Sequence, residues 1–275
     1  MAKTIGFYQN FNLDLKRLSA ALQCVETQPE LGHDALATCM AVNRPVAEGF
    51  SAWLRHTGLA TLGEQRQRGR SYELTPFGKL AFNYDPNLTD LGTQWILHYY
   101  LSTKHTECSQ AWRVLMNEFL SPGLSFTAEQ FTSYFASVMG DEVKNRSALK
   151  KDPSTAISTY IRPQGFSKLG ILGKEKTTIS VASPNFPQIL VIGYVLFDWW
   201  RRHYNQTNTL SFPQLCKEEG SLGHICQASE PQVRQFVSEL TGLGCLSFSQ
   251  TQHEPVNRLY LEPPHLLLER YYSQR

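Results

Sequence analysis

The stretch Arg44-Pro45-Val46-Ala47-Glu48-Gly49-Phe50-Ser51-Ala52-Trp53-Leu54-Arg55-His56 decides how the chain is read. Val46, Phe50, Trp53 and Leu54 recur at helical spacing and predict one apolar face, while Pro45 suits a first helical turn. The opposite face carries Arg44, Glu48, Ser51 and Arg55. Upstream, 34–40 predicts a short helix and 41–44 a turn. Downstream, 59–74 alternates and carries Gly63 and Gly69, which predicts a β-hairpin. The order helix, turn, helix, hairpin is that of a winged helix. On such a unit the exposed face of the second helix reaches base edges, and basic side chains on the hairpin reach phosphates.

A second run has the same order. Helices are expected over 212–219 and 230–241, joined by a longer connection. A hairpin follows from Cys245 through a turn at 250–255 and back along 258–261. Ser229, Pro231 and Gln232 form a capping-box start, and Val233, Phe236, Val237 and Leu240 form the buried stripe. Two winged-helix-like modules, at 1–84 and 206–275, therefore flank a helical middle at 85–205. The fold class expected is mainly α with small β-hairpins, α+β.

The two copies differ in charge. Arg66, Arg68 and Arg70 share a period of two. If the returning strand starts early, all three project from one side and neutralise phosphates. Double-stranded DNA contact is thus expected from Arg44, Ser51, Arg55, Arg66, Arg68 and Arg70. In the second copy Gln232, Arg234 and Gln235 offer amide and guanidinium groups to bases. Its hairpin has no basic run, so that module is left open between DNA and a protein partner.

In the middle, helices are expected over 75–82, 88–101, 110–119 and 127–139, the last opened by Thr127 and Gln130. Trp95, Tyr99, Tyr100, Trp112 and Phe119 read as core at helical spacing, not as a base-stacking platform. The charged stretch 141–153 reads as a linker. A short helix at 154–162, a hairpin at 168–181 and an apolar helix at 188–204 complete the middle, the last tying the halves together.

Composition narrows the function classes. Hydrophobic residues make up 41% and charged residues 18% of the 275 residues, an ordinary globular balance. A net charge of +2 requires any DNA-binding surface to come from local clustering. No secretory signal is read at the start, and the apolar run 189–200 falls short of the roughly 20 residues that span a bilayer. The six cysteines, at 24, 39, 108, 216, 226 and 245, contain no CxxC pair and are expected to be reduced and mostly buried in a cytoplasm. His105 with Cys108, or Cys216 with His224 and Cys226, lack the four convergent ligands of a zinc site. No phosphate loop, HExxH, GxSxG or paired-carboxylate nuclease signature occurs. His98, His105, Glu118 and His203 are the remaining acid-base candidates, and no catalysis, cofactor or metal is expected.

Several strings resemble a bacterial family catalogued as domain of unknown function 4007. They are Glu73-Leu74-Thr75-Pro76-Phe77-Gly78, Tyr84-Asp85-Pro86 with Trp95-Ile96-Leu97-His98, Trp112 with Asn117-Glu118-Phe119, Leu149-Lys150-Lys151-Asp152, and Leu268-Glu269-Arg270-Tyr271-Tyr272. Such proteins are often encoded beside sulfur-mobilising and ATPase components of DNA phosphorothioation and anti-phage defence systems. The resemblance implies association with such a system; joined to the winged-helix reading, the expected function is a non-enzymatic DNA-binding component of it, with other proteins of the complex as partners and room for a homodimer or a regulatory role. The alternative is a protein-protein adaptor. Members tend to show Gly-His-Glu-Thr-Phe where Phe7-Tyr8-Gln9-Asn10-Phe11 stands here. Losing the His-Glu pair favours binding over chemistry.

Overall fold

The structure is a computed structural model that describes residues 5–8, 10–28, 32–66, 69–105, 108–140, 146–249, 251–252 and 254–275. The chain starts with helices α1 (Leu15–Thr27), α2 (His33–Cys39) and α3 (Arg44–His56). Asp14 caps α1 by accepting from the Arg17 N–H, and Asn43 caps α3 by accepting from the Val46 N–H; each satisfies a backbone donor that a helix start leaves open. Strands β1 (Ala60–Arg66) and β2 (Gly69–Leu74) pair antiparallel, with a register irregularity between Leu62 and Gln65. Helix α4 (Pro76–Tyr84) follows at once. Its cap, Thr75, accepts from the Gly78 N–H and donates to the Gly58 carbonyl at 2.6 Å, which pins the hairpin base to the end of α3.

The middle contains α5 (Leu91–Ser102), α6 (Gln110–Val114) running into a π-helical turn (Leu115–Phe119), β3 (Ser125–Phe126), α7 (Ala128–Met139) and α8 (Arg146–Ile161). After a 3-10 turn come β4 (Leu172–Glu175) and β5 (Thr178–Val181), forming an antiparallel sheet in the order β3-β5-β4, then α9 (Ile189–His203). The last part is β6 (Thr209–Ser211), α10 (Phe212–Lys217), α11 (Leu222–Ile225), α12 (Glu230–Gly242), β7 (Leu246–Phe248), β8 (Pro255–Arg258) and α13 (His265–Ser273), with its sheet ordered β6-β8-β7. The fold is mainly α with small antiparallel sheets, as expected. The helix-pair-then-hairpin order occurs in both halves.

One continuous core draws residues from all three expected segments, from Leu18 and Trp53 through Trp95 and Trp112 to Trp199, Val237 and Leu268. Helix α9 packs on α5, α12 and α13, and α13 reaches back to α4. There the Tyr272 ring stacks on Tyr84 at 5.3 Å, and the Tyr271 hydroxyl donates to Asp90 at 2.9 Å. The capping boxes at Thr127 and Ser229 both form. Trp95, Tyr99 and Trp112 are buried and Tyr100 and Phe119 pack against the same core, in keeping with their spacing.

The structure departs from the expected elements at three places. The charged stretch read as a linker is, from Arg146 on, the first half of α8, which continues through Pro153; residues 141–145 lie outside the described residues. Asp152 explains the misreading, for its carboxylate is 1% exposed and accepts from the Gly6 N–H at 2.8 Å and the Tyr8 hydroxyl at 3.0 Å. A charged residue with buried partners is indistinguishable in sequence from a solvated one. Cys24 and Cys39, at the ends of α1 and α2, form a disulfide, so the cysteines are not all reduced; Cys108, Cys216, Cys226 and Cys245 are free and buried. The second hairpin returns from Pro255, not Arg258, because its returning strand pairs on both edges, with β7 and with the unforeseen β6.

Candidate nucleic-acid interface

The face of α3 expected to point outward is largely covered. Beyond Glu48 every residue of α3 except Arg55 is buried. Ser51 is 2% exposed, and its hydroxyl donates to the Glu48 carbonyl beneath His33, which in turn bonds the Tyr72 hydroxyl at 2.8 Å. Ser51 therefore does not lie on an exposed face. Arg44 is exposed but paired with Glu48 at 2.8 Å and Asp34 at 3.2 Å. On the far side the Phe7 ring stacks on His56 at 3.7 Å, and the Trp53 indole donates to the Phe11 carbonyl. Burial, helped by the Arg55 charge, depresses the His56 pKa to about 3, so this ring is neutral and structural.

In the first hairpin, Arg66 ends β1 opposite Gly69, while Arg70 lies on β2 opposite Gln65. The returning strand starts at Gly69, so the condition for a one-sided arginine row is not met for Arg66 and Arg70, which stand on different strands. Arg68 lies outside the described residues.

Helix α12 presents more open surface: Gln235, Ser238, Glu239 and Thr241 are exposed. The Gln235 amide donates to Glu239 at 2.9 Å. Gln232 serves its own helix, its Oε1 accepting from the Ser229 N–H and hydroxyl. Arg234 is clamped by Glu254 at 2.9 Å and lies over the Phe212 ring at 4.2 Å. Of the three second-copy candidates, only Gln235 stands on the exposed face.

The structure gathers cations where sequence reasoning had placed none. The end of α9 carries Arg201, Arg202 and His203. Arg201 lies near Arg258 of β8, and neither has an acidic partner among the described residues. Burial first, then the Arg201 charge, lower the Arg258 pKa; its guanidinium lies 5.8 Å from the Trp200 ring and donates to Asn208 at 2.9 Å. Arg202 donates to Asp198 at 2.6 Å and faces a cavity of about 500 Å³ at the base of the first hairpin, which Arg55, Leu62, Tyr100 and His105 also line. The signal in the sequence was the Arg201-Arg202-His203 run closing an apolar helix, where basic residues also suit the helix dipole.

His98, His105, Glu118 and His203 do not form a hydrogen-bonded set among the described residues. His98 is held by Tyr160 and the Ile225 carbonyl, Glu118 pairs with Arg113 at 2.7 Å, and His203 bonds the Trp199 carbonyl. No group of three His, Cys, Asp or Glu side chains able to hold a metal forms among the described residues. Among the described residues no helix is long and apolar enough to cross a membrane.

The sequence pattern of a family described as "Protein of unknown function (DUF4007)" matches residues 9–264. The chain belongs to this family. The departing segment at 7–11 and the string 149–152 meet in space through the Tyr8 and Asp152 contact and through the Lys151 ammonium donating to Asn10 at 3.2 Å. Tyr8 is buried against Trp53 and Trp112, and burial raises both its pKa and that of Asp152. Among solved structures, "Magnesium ion-bound SspB crystal structure" is similar at 18% identity and a TM-score of 0.83, covering 99% of this chain and 88% of that one. "SspB crystal structure" is similar at 18% identity and a TM-score of 0.82, with the same coverage. These likenesses establish the fold. No curated protein matches the chain.

Proposed function

We propose that this member of the DUF4007 family is a cytoplasmic, non-enzymatic component that binds double-stranded DNA within a bacterial phosphorothioation-type DNA-modification or anti-phage defence system. Both helix-pair-and-hairpin units are read as winged helices. The observation that carries the reading is the pair Arg201 and Arg258, at the end of α9 and on β8 of the second unit, which has no acidic partner among the described residues. Like charges brought together without an acid between them are stabilised by an anion, and a phosphate backbone supplies one every few ångströms. Sequence alone favoured the first unit; exposure and charge now favour the second. Arg55, Arg66, Arg68 and Arg70 are proposed as additional backbone contacts.

The test is duplex binding across a salt series by wild type and an Arg201→Ala, Arg258→Ala double variant. The variant is expected to bind more weakly on every sequence, with the log-log salt slope shallower by roughly 2, about 0.9 for each phosphate that is no longer neutralised. Absence of duplex retardation by wild type at low salt would overturn the reading. Because one structural neighbour binds magnesium, nicking of supercoiled plasmid by the wild-type protein with magnesium would overturn its non-enzymatic part.

A second reading, a protein-protein adaptor, rests on Leu243, Leu259 and Leu261, which are 45%, 53% and 68% exposed close to Cys245. Capture of a neighbouring gene product that a Leu259→Asp, Leu261→Asp variant loses would support it.

A further inference from the structure

We propose that the cavity at the base of the first hairpin binds a nucleotide-sized phosphate monoester, its phosphate between Arg55 and Arg202 and its organic part against Ala60, Leu62 and Pro76. The inference goes beyond duplex binding, since it concerns a cavity at the first hairpin and not the open α12 face. A volume of about 500 Å³ falls within the range of small-ligand sites. Its charged lining is of one sign. Arg55 and Arg202 reach it from the ends of α3 and α9, and no acidic residue lines it among the described residues. Planar guanidinium groups suit the oxygens of a phosphate.

A second observation points to a ligand independently of that charge. His105 lines the same cavity, and both its ring nitrogens are buried without a hydrogen-bond partner among the described residues. Burial, with Arg202 and His203 adding to it, holds its pKa well below the ordinary value, so the ring is a neutral donor and acceptor. A buried polar group without a partner is costly, and a phosphate oxygen or ligand hydroxyl would supply one.

The wall is preorganised. The Tyr100 ring is stacked between Phe77 at 5.9 Å and His105 at 4.4 Å, and its hydroxyl meets that of Tyr194 at 2.7 Å. Gly58, at φ +73, lets the backbone pass against this ring where any Cβ would collide with it. The apolar strip of Ala60, Leu62 and Pro76 then gives the ester's organic half a surface that leaves water on binding.

Calorimetric titration of the full chain with AMP, inorganic phosphate and adenosine tests the assignment. AMP is expected to bind, and adenosine at least tenfold more weakly. Two variants, Arg202→Gln and Thr61→Glu, are each expected to lose at least tenfold in AMP affinity. Thr61 lines the cavity from an exposed position, so the second variant adds a repelling charge without disturbing the core. Short single strands with and without a 5′-phosphate distinguish the source: a tighter fit for the phosphorylated strand than for AMP assigns a DNA end, the reverse a free nucleotide. No binding of AMP or of the phosphorylated strand at millimolar concentration would overturn the proposal. So would equal affinity for AMP and adenosine, or unchanged AMP affinity in both variants. Duplex binding that depends on Arg201 and Arg258 would survive any of these results, so the two readings fail separately.

Discussion

Replacing His98 by glutamine tests whether the neutral imidazole at the centre of the core contributes stability that acid removes. The ring lies on α5 with no exposed surface. The Ile225 carbonyl, 2.9 Å from Nε2, can only accept, so Nε2 carries the proton and Nδ1 accepts from the Tyr160 hydroxyl at 2.8 Å. Burial depresses the pKa to about 4, the Ile225 bond opposing it only in part. An unfolded histidine titrates near 6.5. Between these values the unfolded chain binds a proton that the folded chain refuses, so stability is fully present above about pH 6.5 and is lost as pH falls towards 4. A span of about 2.5 pH units at ~1.4 kcal/mol each gives up to about 3 kcal/mol. His56 adds a loss of the same sign, which is why the variant is needed. Urea unfolding of wild type and His98→Gln from pH 7 to 4.5 should give profiles whose slopes differ by about one proton near pH 5, or ~1.2 kcal/mol per pH unit. Parallel profiles would refute the assignment of a buried neutral imidazole at this position.

Three further outcomes are expected. Gly78→Ala places a methyl group against the Leu59 carbonyl, a backbone atom that cannot move aside, and should cost about 3 kcal/mol or more in urea unfolding through strain; Gly242→Ala, at the end of α12 with open space around it, should be neutral or stabilising by up to ~1 kcal/mol. Reducing the Cys24–Cys39 disulfide, which spans 15 residues, should lower stability by about 3 kcal/mol on the chain-entropy account, and a melting temperature indifferent to reductant and to Cys24→Ser would contradict the bond. Asp152→Asn keeps the size of the buried side chain but weakens its acceptance from Gly6 and Tyr8. It should destabilise by roughly 1–3 kcal/mol, detected as faster proteolysis near the amino terminus; unchanged stability would show that Asp152 does not anchor this segment.

Local order was legible in the residues alone. Helix starts could be read at Thr75, Thr127 and Ser229 because a cap and its backbone donor lie within three residues of each other. The apolar stripes of α3 and α12 were equally plain because helical period reports which residues face a core. Whether the opposite face meets water is set by segments far away. His33 and Tyr72 cover the Ser51 side of α3, whereas nothing among the described residues covers Gln235 and Ser238 of α12, and no periodicity within either helix separates the two cases. The same holds for Asp152, a charge with buried partners some 145 positions earlier. It holds most of all for the cavity lined by Arg55, His105 and Arg202, residues of three distant segments that the packing of α9 beneath the first hairpin brings together. The elements and their buried stripes thus follow from sequence, since they depend on contacts within a turn or two. Tertiary packing decided which cations converge, because like charges gather only where the core holds their helices in place.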